Sequence, residues 1–151
     1  MIRTKSAEET QKFGALLAER LEAGDVLLLR GPLGAGKSEL TRGLARGLGV
    51  TETVTSPSFT ILNVYETGRI PLYHFDWYRL DSAEELFELG MQEYLGGEGI
   101  AVVEWPEKGE EALPETFLEI RILPEESGTR RLTAIRHGRF RSLKLEGFEE
   151  A

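Results

Sequence analysis

The octapeptide GPLGAGKS, Gly31 to Ser38, stands between an apolar run, Val26-Leu-Leu-Leu29, and Leu40, Leu44 and Leu48 at helical spacing. That arrangement confines this stretch to a buried strand, a glycine-rich turn and a helix, in that order. Gly31 and Gly36 enclose four free positions and are followed by Lys37 and Ser38, which is a phosphate-binding pattern. Glycines let successive backbone N–H groups turn inward around a polyphosphate without a Cβ in the way. Lys37 can then reach β/γ oxygens, the Ser38 hydroxyl can bind Mg²⁺, and the helix offers its positive end. The pattern predicts a site for a nucleoside triphosphate. Its candidate contacts are Gly31, Leu33, Gly34, Ala35, Gly36, Lys37, Ser38 and Glu39.

The bulk properties narrow the class further. A chain of 151 residues fits a single domain with a real core, and 40% apolar with 29% charged residues fits a soluble globular protein. No apolar stretch reaches the roughly 20 residues of a spanning helix, and no signal peptide is visible, so neither a membrane nor export is expected. With no cysteine there is neither a disulfide nor a Cys-based zinc site, which suits the cytoplasm. The net charge is −8 and no Lys/Arg stripe interrupts it, which argues against a direct grip on nucleic acid.

Along the chain, Ser6 and Glu9 have capping-box spacing, and Phe13, Leu16, Leu17 and Leu21 recur at helical intervals. With Gly24 as terminator, a helix over 7–23 is predicted. A strand over 26–30 and a helix over 37–48 flank the phosphate loop. Thr51 to Pro57 reads as turns, and the alternation of 59–65 as a strand. Leu72 to Phe75 reads as the next strand, and Ser82 with Glu85 as the capping box of a short helix through Leu89. Residues 90–94 read as a helical turn and Ile100–Val103 as an apolar strand. Segments 117–123, 131–136 and 140–145 alternate like an antiparallel meander, and 146–151 reads as a polar tail. The predicted fold is one α/β domain over 1–151. It has a mostly parallel central sheet flanked by helices, with antiparallel strands at the edge and C-terminus.

A phosphate loop alone binds; hydrolysis needs a metal-holding acid and a group that orients water. Two apolar strands end in an acid, at Asp76 and at Glu104, where open α/β sheets keep their ligands. Asp76 is the first candidate for the Mg²⁺ shell, through water, and Glu104 for water orientation or the metal. Ser38, Asp76 and Glu104 are thus the metal candidates, and Lys37 with Glu104 the catalytic ones. The hydroxyl-rich segment Thr55-Ser-Pro-Ser-Phe-Thr60 falls where a nucleotide-sensing loop would lie, with Ser58 in it. Trp105 could clamp a base or pack on a partner. His74 reads as a buried strand residue, and His137 with Arg130 and Arg131 as solvated edge residues.

GPLGAGKS, SPSFT at 56–60, HFDWYRL at 74–80 and VVEWPEK at 102–108 follow one another in the order and separation of the TsaE family. The chain resembles that family over about residues 7–137. The resemblance implies a P-loop ATPase using ATP and Mg²⁺, slow alone. It also implies work with TsaD and TsaB in making threonylcarbamoyladenosine beside the tRNA anticodon, the tRNA being met only through that complex. By the same resemblance Lys37 and Ser38 hold phosphate and metal, and Asp76 is a second metal-site acid. Glu104 and Trp105 match a functional acid–Trp pair, and Ser58 sits in a switch-like loop. The family usually carries Thr at the position of Ser38, and SPTF where this chain has SPSF; both exchanges keep the hydroxyl. Two rivals stay open, a small P-loop kinase and a module that assembles when nucleotide is bound. A GTPase lacks its base-reading Asn-Lys-x-Asp, since Asn63, the one asparagine, precedes Val64.

Overall fold

A computed structural model describes residues 1–57, 59–145 and 147–150, and of Glu149 and Glu150 the backbone alone. The elements are β1 (Ile2–Thr4), α1 (Ala7–Ala18), β2 (Val26–Arg30), α2 (Lys37–Gly47), β3 (Leu62–Tyr65) and β4 (Leu72–Asp76). They continue as α3 (Glu84–Glu88), β5 (Ile100–Glu104), β6 (Phe117–Pro124), β7 (Arg130–His137) and β8 (Glu149–Glu150). All strands join one sheet in the order β1-β7-β6-β2-β5-β4-β3, with β8 also on β7. The centre is parallel, because β2 pairs in that sense with both β5 and β6, and β4 with β5. The flanks are antiparallel in β1–β7, β6–β7 and β3–β4. This is the α/β architecture expected from the sequence.

Strand periodicity sorts the apolar residues onto two faces. Leu27 and Leu29 of β2, with Ile100 and Val102 of β5, pack against Leu17, Leu40 and Leu44 of α1 and α2. Val26, Leu28, Ala101 and Val103 point the other way, to Phe75, Trp77 and Leu86. A central strand apolar at every position is what burial on both faces requires. Helices α1 and α2 cross closely because glycine lines the contact. A Cβ on Gly43 would sit 2.1 Å from the Gln11 carbonyl oxygen, and one on Gly14 2.5 Å from that of Leu40.

Several boundaries differ from the sequence expectation, each for a visible reason. Helix α1 begins as foreseen, with the Ser6 hydroxyl accepting from the Glu9 N–H, but it stops at Ala18. Bonds three residues apart tighten its end through Leu21, and Gly24, at φ +95°, turns the chain into β2. Strand β3 starts only at Leu62, since Ile61 takes a left-handed φ of 69°. The Ser82 hydroxyl caps nothing; α3 starts after Ala83, and the Asp81 N–H donates to Glu85 instead. Residues 140–145 form no strand, and Lys144 takes a φ of 59°. Phe140 and Leu143, three residues apart, are buried in the core that contains α1 and do not pair as strand residues. The expected polar tail is a correction too. Phe148 is fully buried, 4.6 Å edge-to-face from Phe13, and β8 runs parallel to β7.

Truncating Phe148 to Ala therefore removes a core ring. We expect a loss of about 3–5 kcal/mol in unfolding free energy by urea titration; a loss under about 1 kcal/mol would return the segment to a mere tail.

Candidate functional site

The C-terminal ends of the parallel strands open on a cavity of about 390 Å³. Its lining joins Leu33, Gly34, Gly36, Lys37, Ser38 and Glu39 of the loop with Asp76, Glu104 and Trp105 from two strand ends. Ala7, Ser56 and Arg130 complete it. These residues are far apart in sequence and meet because β2 lies beside β5, and β5 beside β4.

The loop is shaped by tight approach and by φ. A Cβ on Gly31 would lie 2.4 Å from the Ile122 carbonyl oxygen, so β6 and the loop can pass each other only with glycine there. Gly36 precedes α2 at φ +110°, a left-handed value that glycine adopts at little cost. Gly31 and Ala35 do not line the cavity; Ala35 is fully buried beneath it. Glu39 lines it, yet its carboxylate is held by Gln11 and Arg42, so what it can offer a ligand is its N–H. Ser58 lies outside the described residues, while Ser56 of the same segment reaches the cavity. That segment is tied down at Thr55, whose N–H donates to the Tyr65 hydroxyl and whose carbonyl accepts from Asn63.

Lys37 is buried, and its Nζ donates to the Gly31 carbonyl at 2.8 Å while lying 3.8 Å from the Trp105 ring centre. Burial pushes its pKa down, with Glu104, Glu107 and Asp76 pulling the other way. A buried ammonium facing acids is poised to gain from an incoming anion. Trp105 reaches it through a left-handed turn of its own, φ 57°, directly after β5. Tyr78 packs against the same indole, ring centres 4.9 Å apart and tilted by 56°. Arg30 meets Glu107 at 3.2 Å and Glu110 at 3.7 Å, anchoring the segment after Trp105 to the end of β2.

Asp76 and Glu104 are register partners at the ends of β4 and β5. Asp76 accepts from the Tyr78 N–H at 3.0 Å, and burial, the largest influence, raises its pKa. Glu104 contacts His74, with Nε2 to Oε2 at 2.6 Å, inside the sheet. His74 is thus buried, as expected, but joined to the acid that the sequence singled out. Its HxD spacing with Asp76 was the one available signal, since both lie on the same face of β4.

Arg130 departs from expectation. It is no solvated edge residue, for it lines the cavity and its Nη2 donates to the Gly34 carbonyl at 3.4 Å. No local pattern could mark it, because 96 positions separate it from Gly34. Among the described residues no cluster of three or more His, Cys, Asp or Glu forms a metal cage, and no helix is long and apolar enough to cross a membrane.

The raised pKa of Asp76 has a consequence for stability. A carboxyl raised in the folded state favours folding at low pH, and that favour is lost as the pH climbs through the raised value. Asp76→Asn should therefore be more stable than the parent at pH 7, the gap closing toward about pH 4. Denaturant titrations at both pH values test this; a less stable variant at pH 7 contradicts it.

The family profile described as "Threonylcarbamoyl adenosine biosynthesis protein TsaE" matches residues 4–132. A Treponema pallidum protein named "tRNA threonylcarbamoyladenosine biosynthesis protein TsaE" is 44% identical over 130 residues, 86% of this chain and 96% of that one. A Bacillus subtilis protein of the same name is 48% identical over 120 residues, covering 80% and 75%. The crystal structure of Bacillus subtilis YdiB superposes with a TM-score of 0.76 at 42% identity, covering 87% of this chain and 80% of that one. The four stretches that carry the resemblance each bring at least one residue to the cavity, and the chain belongs to the TsaE family.

Proposed function

We propose that this protein is a cytoplasmic ATPase subunit that binds ATP with Mg²⁺ and hydrolyses it slowly. It would thereby support threonylcarbamoylation of the tRNA adenosine next to the anticodon by TsaD and TsaB. One observation carries the nucleotide part: Lys37, Ser38, Asp76 and Glu104 share one cavity at the N-terminus of α2. The tRNA part rests on family membership and on the names of the relatives. The acidic chain suits an indirect role toward tRNA, which the partners would hold.

In this reading the loop N–H groups and the start of α2 bind the phosphates. Lys37 leaves the Gly31 carbonyl and the Trp105 face for β/γ oxygens, regaining the ionic partner that burial denies it. The Ser38 hydroxyl with Asp76 and Glu104 is a set of oxygen donors, which fits Mg²⁺. Too few to enclose an ion, they suit a cation that keeps its waters and shares the phosphates. Bound there, Mg²⁺ would neutralise charge on the phosphates. Glu104, fixed by His74, orients water toward the terminal phosphate. Trp105 packs against Lys37 and forms a wall for the nucleotide.

Two variants test the assignment. Lys37→Ala should lose about 2–4 kcal/mol of ATP affinity by calorimetry, through the missing charge-assisted bonds; unchanged affinity would remove the loop from the account. Glu104→Gln should still bind ATP and hydrolyse it roughly 10²-fold more slowly or worse. Repeated rounds of tRNA modification with TsaD and TsaB should then fail. Equal multiple-turnover yield would instead favour the assembly module. A phosphorylated small molecule appearing with ADP would favour the kinase.

A further inference from the structure

Among the described residues Arg130 donates to backbone carbonyls, as Arg69 does to that of Ala18, and it does so from the wall of the candidate site. Arg3, Arg30, Arg42, Arg121 and Arg141 each close on a carboxylate. The Arg130 guanidinium closes on two carbonyls, Gly128 at 3.2 Å and Gly34 at 3.4 Å, both at the long end for hydrogen bonds. Those two bonds aim the side chain along the phosphate loop. Its Nε would lie 3.6 Å from a Cβ on Gly36, and its side chain forms part of the cavity wall.

The position comes from topology. Arg130 opens β7, which runs antiparallel to β6, so the start of β7 stands at the same sheet edge as the ends of β2, β4 and β5. The order β7-β6-β2-β5-β4 then puts the loop in the middle, with the two acids on one flank and the arginine on the other. A polyphosphate seated on the loop would carry several negative charges. A cation beside the acids can screen one side of it, and Lys37 takes the centre. The oxygens turned toward β7 face no other cation among the residues lining the cavity.

We propose that Arg130 is a phosphate-contacting residue supplied by this chain itself, which exchanges the Gly34 carbonyl for non-bridging oxygens of the bound nucleotide. Guanidinium suits the task because its planar fork can meet two oxygens at once and never loses its charge. The Gly34 bond is weak enough to break and short enough to keep the fork beside the loop before the ligand arrives. The inference rests on the nucleotide-site reading of the preceding subsection and assigns that site one more residue.

Calorimetric titration with two probes, ATP and inorganic tripolyphosphate, each with Mg²⁺, tests it on the unmodified chain, Arg130→Gln and Arg130→Lys. Thermal unfolding checks that the variants fold; a half-buried side chain bonded to two loop carbonyls can be exchanged without opening the core. The glutamine variant should weaken both probes by about tenfold or more, and lysine should restore part of the loss. Unchanged affinity for both probes in the glutamine variant overturns the proposal. So does weakened ATP beside unchanged tripolyphosphate, which would move the contact to the nucleoside. If the folded, unmodified chain binds neither probe, the nucleotide site itself falls and the arginine's role with it; if it binds both, the variants judge Arg130 alone.

Discussion

Parallel pairing of β2 with β5, and of β5 with β4, is the constraint on which the site depends. It sets three strand ends side by side, so that the turn after Arg30, the carboxylate of Glu104 and that of Asp76 meet across one edge. Side-by-side parallel strands require crossover segments, and those segments cover both faces of the sheet. Both faces being covered, β4, β5 and all of β2 but Arg30 are buried, which explains the apolar runs Val26–Leu29 and Ile100–Val103. The same burial gives the polar groups at the strand ends their character. Lys37 loses water and with it part of its hold on a proton, and Asp76 holds its proton more tightly than an exposed aspartate would.

Concentrating buried charge in this way works against folding, because groups stripped of water need partners. The structure supplies interim ones. Lys37 rests on the Gly31 carbonyl and the Trp105 ring, Glu104 on His74, Asp76 on the Tyr78 N–H, and Arg130 on the Gly34 carbonyl. None of these is a tight ion pair between the site's own cations and acids, so the groups stay available to a ligand. Support comes from behind. The glycine-lined crossing of α1 and α2 fixes the helix that starts at Lys37, and Arg30 fixes the chain that follows Trp105. Trp105 itself sits in a left-handed conformation, which costs an ordinary residue on the order of 1 kcal/mol and is held by these surroundings.

Much of this was legible because it is local. The apolar run 26–29, the loop 31–38, and acids directly following the strands at 72 and 100 are contiguous patterns with a direct chemical meaning. What stayed hidden is long-range or depends on a single backbone angle. Arg130 reaches the loop only through the β6–β7 pairing, and His74 finds Glu104 only across two strands. Residues 59–61 alternate as a strand does, yet Ile61 turns left-handed and the pairing starts after it. Segment 140–145 also reads like a strand, yet what sets its pattern is Phe140, Leu143 and the partly buried Leu145 packing into the core with no strand formed. Phe148 hides in a run of acidic residues, and only the neighbouring Phe13 ring explains it.

The central claim is that this sheet edge is a nucleotide site whose acids act through a divalent cation. Equilibrium titration of ATP into the unmodified chain, with Mg²⁺ present and again with the cation chelated, tests it most directly. The account predicts single-site binding whose affinity falls clearly on chelation. A folded chain that binds no ATP in either condition, or binds it equally well in both, would contradict it.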